Sequence, residues 1–314
     1  SVEALAEKIA SHAPAPLNRF YFMCSGSEAV ETAIKLARQI HCERGCPSRV
    51  RLISRWQSYH GLTLGALAAS GRTYFREPFI PMLSEVVHIP PPYCLRCYYS
   101  LNYPSCELRC AYELERTILN LGPSTVSAFL AEPISGATLG VYPPPPGYLR
   151  VIREICDQYG VLLIFDEVMV GMGRTGMWFA CQHEGVTPDL ITLGKGLTSG
   201  VLPLSAVGAR SEYMDLIASG SGNFVHGGTF SHHAVAAAAG LAVVNLLERD
   251  NLVSRAADMG AYLGRCLKER LEDLECVVDI RGKGLLWGVE LGQDKMTLKP
   301  FPRKERVTER VREA

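Results

Sequence analysis

Val161-Leu-Leu-Ile-Phe165 is an unbroken apolar run that ends abruptly in Asp166-Glu167. A strand exposed on one face alternates apolar with polar residues. This one does not, so both of its faces must be covered, which is the condition of a central strand in a parallel sheet. Shorter apolar runs of the same kind recur at Val50–Ile53, Ser127–Ala131 and Leu190–Leu193. Helix-patterned stretches at Glu28–Arg44, Leu108–Leu121 and Leu149–Tyr159 separate them. Strand after helix after strand predicts an α/β fold, a mostly parallel sheet with helices on both faces. In such sheets ligands sit beyond the carboxyl ends of the strands, which is where Asp166 and Glu167 fall.

The pattern changes after Ser211. Two long helical stretches, Ser231–Leu247 and Leu252–Leu271, lead to Cys276–Ile280, a turn at Arg281-Gly-Lys-Gly284, and a strand at Leu285–Leu291. We read residues 1–250 as a large domain and 251–314 as the start of a smaller one, a division in keeping with 314 residues and the size at which single cores stop growing.

Lysine plus arginine and aspartate plus glutamate both number 32, so the formal net charge is zero. That balance gives no reason to expect nucleic acid or an anionic membrane as partner, and small molecules are the better expectation. The longest apolar run, Ala234–Leu247, is rich in small residues and too short to span a bilayer. The first thirteen residues lack a basic segment followed by an apolar one, and eleven cysteines, an odd number, suit reduced thiols, so a cytoplasmic location is expected.

Several residues could carry chemistry. Lys195 lies between Gly194 and Gly196 at the end of an apolar run. Glycines there let backbone approach a ligand, and a desolvated lysine becomes a nucleophile for carbonyls. A surface lysine in a turn is the plainer reading of that residue alone. Asp166 could face a protonated ring nitrogen, hold Mg²⁺ or cap a helix. No second acidic cluster or Walker-type glycine loop supports the metal. Ser25-Gly-Ser-Glu28 has the spacing of a capping box before an amphipathic helix, either an ordinary cap or a seat for a phosphate. Tyr59-His60-Gly61 follows a short strand and offers an aromatic face beside a flexible backbone. Thr229 follows the glycine pair of His226-Gly-Gly, where a hydroxyl could reach a phosphate.

Each signal is weak alone; their order is not. The stretch Leu163-Ile-Phe-Asp-Glu-Val-Met-Val-Gly-Met-Gly-Arg-Thr-Gly176, followed by Thr187-Pro-Asp-Leu-Ile-Thr-Leu-Gly-Lys-Gly196, resembles the class III aminotransferases, a fold-type-I pyridoxal-phosphate family. Phe20–Arg38, Trp56–Gly61, Glu132-Pro-Ile134, His226–Gly240 and Arg281–Leu291 match in the same order, so the resemblance runs from about Leu17 to Leu291. It implies that Lys195 binds pyridoxal phosphate covalently and, once displaced by substrate, moves the proton. It places Asp166 on the pyridine nitrogen, Gly26 and Ser27 on the phosphate, Tyr59 and Val168 on opposite ring faces, His60 beside the cofactor, and Glu132 near the cofactor hydroxyl and the lysine. Thr229 would reach the cofactor of the neighbouring subunit, implying a homodimer.

The resemblance further implies a ping-pong exchange between an amino donor and a keto acid. Met169 stands where many relatives have a glutamine, a departure that leans toward members acting on amines and ω-amino acids. Ser135-Gly-Ala after Glu132-Pro-Ile blurs the substrate. Close alternatives are a decarboxylase-transaminase of the dialkylglycine type and an aminomutase. A pyridoxal-phosphate-binding scaffold without turnover, or a nucleotide-binding α/β module, would be of another class. Relatives carry a longer segment before Ser25 and a C-terminal carboxylate-gripping arginine, so the chain reads as incomplete, and Arg281 is expected to belong to the turn into the small domain. Cys94, Cys97, Cys106 and Cys110, four cysteines in seventeen residues, fit a thiolate Zn²⁺ site less well than reduced thiols, because their spacing is irregular.

Overall fold

A computed structural model describes residues 1–313. Seven strands form the main sheet: β1 (Leu17–Met23), β2 (Arg51–Arg55), β3 (Val87–Ile89), β4 (Val126–Ala131), β5 (Leu162–Asp166), β6 (Leu190–Leu193) and β7 (Ser205–Arg210). Their spatial order is β1-β7-β6-β5-β4-β2-β3. The five strands from β6 across to β3 are parallel neighbours, while β7 runs antiparallel to both β6 and β1. The apolar run read from sequence is the middle strand.

Its lack of alternation has a direct cause. Leu163 and Phe165 enter the core on one face, with Phe129, Tyr148 and Ile152. Leu162 and Ile164 enter the core on the other, with Ala33, Leu36 and Ala128. Every residue of β5 is buried. The Gly26–Glu43 helix covers the second face through Ala29, Val30, Ala33, Leu36, Ala37 and Ile40, the spacing of one helical stripe. Helices Arg109–Leu121 and Tyr148–Tyr159 cover the first.

A separate antiparallel pair, β8 (Val277–Lys283) and β9 (Leu286–Leu291), packs on the Leu252–Leu271 helix. Contact is close because Gly264 lies under Trp287, where a Cβ would come within 2.2 Å of the indole. The hairpin corrects one sequence expectation. Arg281–Lys283 continue β8, and the reversal falls at Gly284-Leu285. Arg281 is held in the strand by its own contacts. It donates to Asp279 at 2.7 Å and Glu290 at 2.8 Å, and to the carbonyls of Val141 and Leu139 at 2.9 and 2.6 Å. The helix expected from Ser231 starts at Ala234, where the His233 ring accepts the Ala236 N–H. Among the described residues, no helix is long and apolar enough to cross a membrane.

Asp189 ties the amino ends of β5 and β6 to two helices. Its carboxylate accepts the Leu163 N–H at 2.8 Å, Arg153 at 2.8 Å and the Tyr213 hydroxyl at 2.6 Å, with Arg210 at 3.3 Å. Burial alone would raise this carboxyl, but Arg153, Tyr213 and the Leu163 amide outweigh it and hold it below the ordinary value. A folded-state pKa below the unfolded one stabilises fully above the unfolded value, and the effect disappears as pH falls through the folded value. Asp189→Asn is therefore expected to cost about 3 kcal/mol at neutral pH, with the gap narrowing below about pH 4. Urea denaturation at a series of pH values checks this; a gap independent of pH would contradict it.

Candidate active site

The carboxyl ends of β4, β5 and β6 open on a cavity of about 730 Å³. Asp166, the last residue of β5, reaches it with a side chain held on three sides. His60 Nδ1 lies 2.8 Å from one oxygen; the Thr192 hydroxyl and the Val168 N–H each donate to the other at 3.0 Å. Thr192 is the partner of Asp166 in the β5–β6 register, so sheet pairing itself delivers that bond. Asp166 is 5% exposed. Its neighbour Glu167 turns the other way and accepts the N–H groups of Ala180 at 2.7 Å and Cys181 at 2.8 Å. Burial pushes Glu167 up to about 7. Of the two acids that close the strand, one serves the cavity and the other anchors a turn.

Lys195 leaves β6 with φ of 38°, the left-handed region that costs an ordinary residue roughly 1–3 kcal/mol. It lines the same cavity as Asp166. Its flanking glycines sit in tight surroundings: a Cβ at Gly194 would stand 3.2 Å from Val168 and one at Gly196 3.1 Å from Met172. Val168 is pressed equally by the Gly26–Glu43 helix, where a Cβ on Gly26 would approach it to 2.9 Å.

The capping box forms as its spacing implies. Ser25 Oγ accepts the Glu28 N–H at 3.3 Å, and the Glu28 carboxylate accepts the Ser25 N–H at 2.8 Å. Ser27 Oγ accepts the Leu62 N–H at 3.1 Å, which joins this helix start to the Tyr59-His60-Gly61 loop. Gly61 has φ of 128° and leaves no room for a Cβ, which would fall 2.3 Å from Ser27 Oγ. Tyr59 is half-buried on the wall, edge-on to Phe75 with centroids 5.9 Å apart. His60 is buried, its N–H donated to Ser70 Oγ at 2.8 Å. Glu132 follows β4; one oxygen accepts the Gly136 N–H at 3.1 Å and the other is buried without a partner. Burial raises its carboxyl, Asp166 adds to that, and His60 and Arg55 oppose it. Met169 also lines the cavity.

Eight of the nine residues singled out from sequence thus line one cavity. Thr229 does not: it is exposed, in the turn before the Ala234–Arg249 helix. Sequence reading missed Thr192, for which strand register was the available signal, and Arg72 and Phe75, which reach the cavity from the segment after Gly71. Cys94, Cys97, Cys106 and Cys110 line one void of about 10 Å³ as free thiols. Burial, with the neighbouring thiols, pushes Cys110 up to about 12. Among the described residues, no three metal-ligating side chains are gathered to hold an ion.

The family model described as Aminotransferase class-III matches residues 1–314. An aminotransferase of Gibberella zeae is 40% identical over 315 residues, covering 98% of this chain and 61% of the relative, so the chain spans about three fifths of that protein's length. The crystal structure of a thermostable (S)-enantioselective omega-transaminase from Thermomicrobium roseum superposes with a TM-score of 0.93 at 42% identity, covering 97% of this chain and 68% of that one. An amine transaminase from an uncultivated Pseudomonas species, solved in its pyridoxal-phosphate-bound form, gives a TM-score of 0.92 at 36% identity over 97% of this chain and 69% of its own. With the site motifs in order on the matching fold, the chain belongs to the class-III aminotransferases.

Proposed function

We propose that this chain forms the cofactor-binding core of a pyridoxal-phosphate-dependent aminotransferase that moves an amino group from an amine or ω-amino acid to a keto acid. The observation that carries the proposal is one cavity lined by both Lys195 and a fixed, buried Asp166. The residues present fit the group. A lysine amine suits its aldehyde, and a carboxylate suits its ring nitrogen. The helix start at Gly26-Ser27 suits its phosphate. Glycines 26, 61 and 194 keep the walls free of side chains that would collide with Val168 or Ser27. A cavity of about 730 Å³ accommodates such a ring with a small substrate. The amine-transaminase neighbour with this cofactor bound supports the same reading.

When bound, pyridoxal phosphate supplies an aldehyde for amine exchange and a ring that accepts an electron pair. The protein's part is positional and acid–base. Lys195 would hold the group at its aldehyde carbon, and its amine, freed when a substrate amine takes that place, would carry the proton from the substrate carbon to the former aldehyde carbon. Asp166 keeps a proton on the ring nitrogen, and His60, Thr192 and the Val168 amide prevent that carboxylate from turning away. Tyr59 and Val168 would confine the ring, and Glu132 would face its hydroxyl. Donor and acceptor use the site in turn, which gives ping-pong kinetics. The exposed Thr229 turn suits a homodimer in which it completes the partner's phosphate site, and residues 1–250 and 251–314 suit a large domain and the start of a small one. A cytoplasmic location accords with the eleven free cysteines.

Lys195→Ala is expected to abolish the visible, borohydride-reducible chromophore of the protein incubated with pyridoxal phosphate. Persistence of a reducible linkage, located by peptide mass spectrometry, would rule out Lys195 as the attachment point. Asp166→Ala is expected to keep that linkage but slow amine transfer to pyruvate about a hundred-fold or more, because the ring loses its proton partner. Near-normal turnover would remove the role given to Asp166. Release of CO₂ from a dialkylated amino acid in the same assay would point instead to the decarboxylase-transaminase.

A further inference from the structure

We infer that Arg72 is a specificity-determining residue that binds a carboxylate on the substrate, a reading that rests on the aminotransferase proposal. Arg72 and Lys195 are the arginine and the lysine lining the cavity. Lys195 is committed to the reacting centre; Arg72 has no such commitment. It makes no ion pair or side-chain hydrogen bond among the described residues, and it is exposed. Nearby Arg76 behaves differently: its guanidinium is taken up by the carbonyls of Leu67 at 3.2 Å, Ala68 at 2.5 Å and Ser70 at 2.7 Å. Of these two arginines in one short segment, the first is left with its donors available to a ligand.

A tier of rings holds Arg72 in place. Its Cζ stands 5.0 Å from the centroid of Phe75, and Phe75 meets Tyr59 edge-on at 5.9 Å. Tyr59 lies beside His60, which holds Asp166. The wall therefore runs from the fixed carboxylate through two aromatic rings to a free guanidinium. Stacking on Phe75 limits the conformations the arginine must give up on binding, and its planar fork matches a carboxylate. An amine or carbonyl compound reacting at Lys195 and carrying its carboxylate at the other end is the substrate class this wall fits. Of the residues that close the rest of the wall, Thr138 and Leu202 among them, Glu132 is the one acid.

Glutarate, which carries carboxylates but no reacting amine, titrated into the cofactor-loaded protein tests this by calorimetry and by the cofactor's visible band. Arg72→Met is expected to weaken glutarate binding roughly ten-fold or more, and Arg72→Lys less than that. In half-reactions, the ratio of the β-alanine to the propylamine dissociation constant is expected to rise in Arg72→Met by a similar factor. Glutarate binding within about two-fold of the parent, equal weakening by Met and Lys, or equal loss toward β-alanine and propylamine would each overturn the inference. If the visible band forms and glutarate binding ignores Arg72, the inference alone fails. If no band forms in the parent protein, the aminotransferase reading fails and this one falls with it.

Discussion

The site depends on one carboxylate being unable to move. Asp166 ends a strand buried on both faces, and its oxygens are claimed by a histidine from the loop after β2, a threonine from β6 and an amide two residues on. A free aspartate rotates about two bonds; three directed bonds from three different segments remove that freedom before any ligand arrives. The same three partners offset the cost of burying the side chain, which still lines the cavity.

The rest of the site is set by how closely backbone segments approach that carboxylate. Val168 is crowded by Gly26 on one side and Gly194 on the other, and Gly61 abuts Ser27. A Cβ at Gly61 would collide outright with Ser27, and one at Gly26 or Gly194 would make Val168 give way. Reading the cavity as a ligand cradle and reading its glycines as packing necessities are one argument, because the same proximity that forbids a side chain brings N–H groups and hydroxyls to the cavity surface. Lys195 in the left-handed region adds to this: the chain turns at once after β6, at the edge of the cavity that Asp166 also lines.

Much of this was legible in the sequence because it is local. Strand β5 announced itself by an unbroken apolar run and the Ser25–Glu28 cap by spacing, whereas Lys195 and its glycines read alone as a surface turn and stood out only through the order of the motifs around them. What escaped reading was whatever depended on partners distant in sequence. Residues 281–283 looked like a turn because Gly-x-Gly is turn chemistry, yet they stay in β8 since Arg281 is clamped by Asp279, Glu290 and two carbonyls. Thr192 looked like an ordinary strand residue; only the register opposite Asp166 gives it a function. Arg72 lies in a stretch without periodicity, and its position follows from the close packing of Gly71, where a Cβ would stand 2.1 Å from the Arg55 carbonyl.

The two ends of the sheet use their buried carboxyls differently. At the amino ends of β5 and β6, Asp189 accepts from an amide, a hydroxyl and two guanidinium groups, while the Nε atoms of those two arginines stay buried without partners. At the carboxyl ends, around the cavity, buried polar atoms stand without partners: His60 Nε2, one Glu132 oxygen, and Nε and Nη1 of the fully buried Arg55. Arg55 spends its remaining nitrogen on the Glu132 carbonyl at 2.5 Å. Unsatisfied groups of this kind cost roughly 1–3 kcal/mol each. His60 and Glu132 both line the cavity, on the side where an open α/β sheet takes its ligands, so a group bound there could satisfy what the protein leaves open.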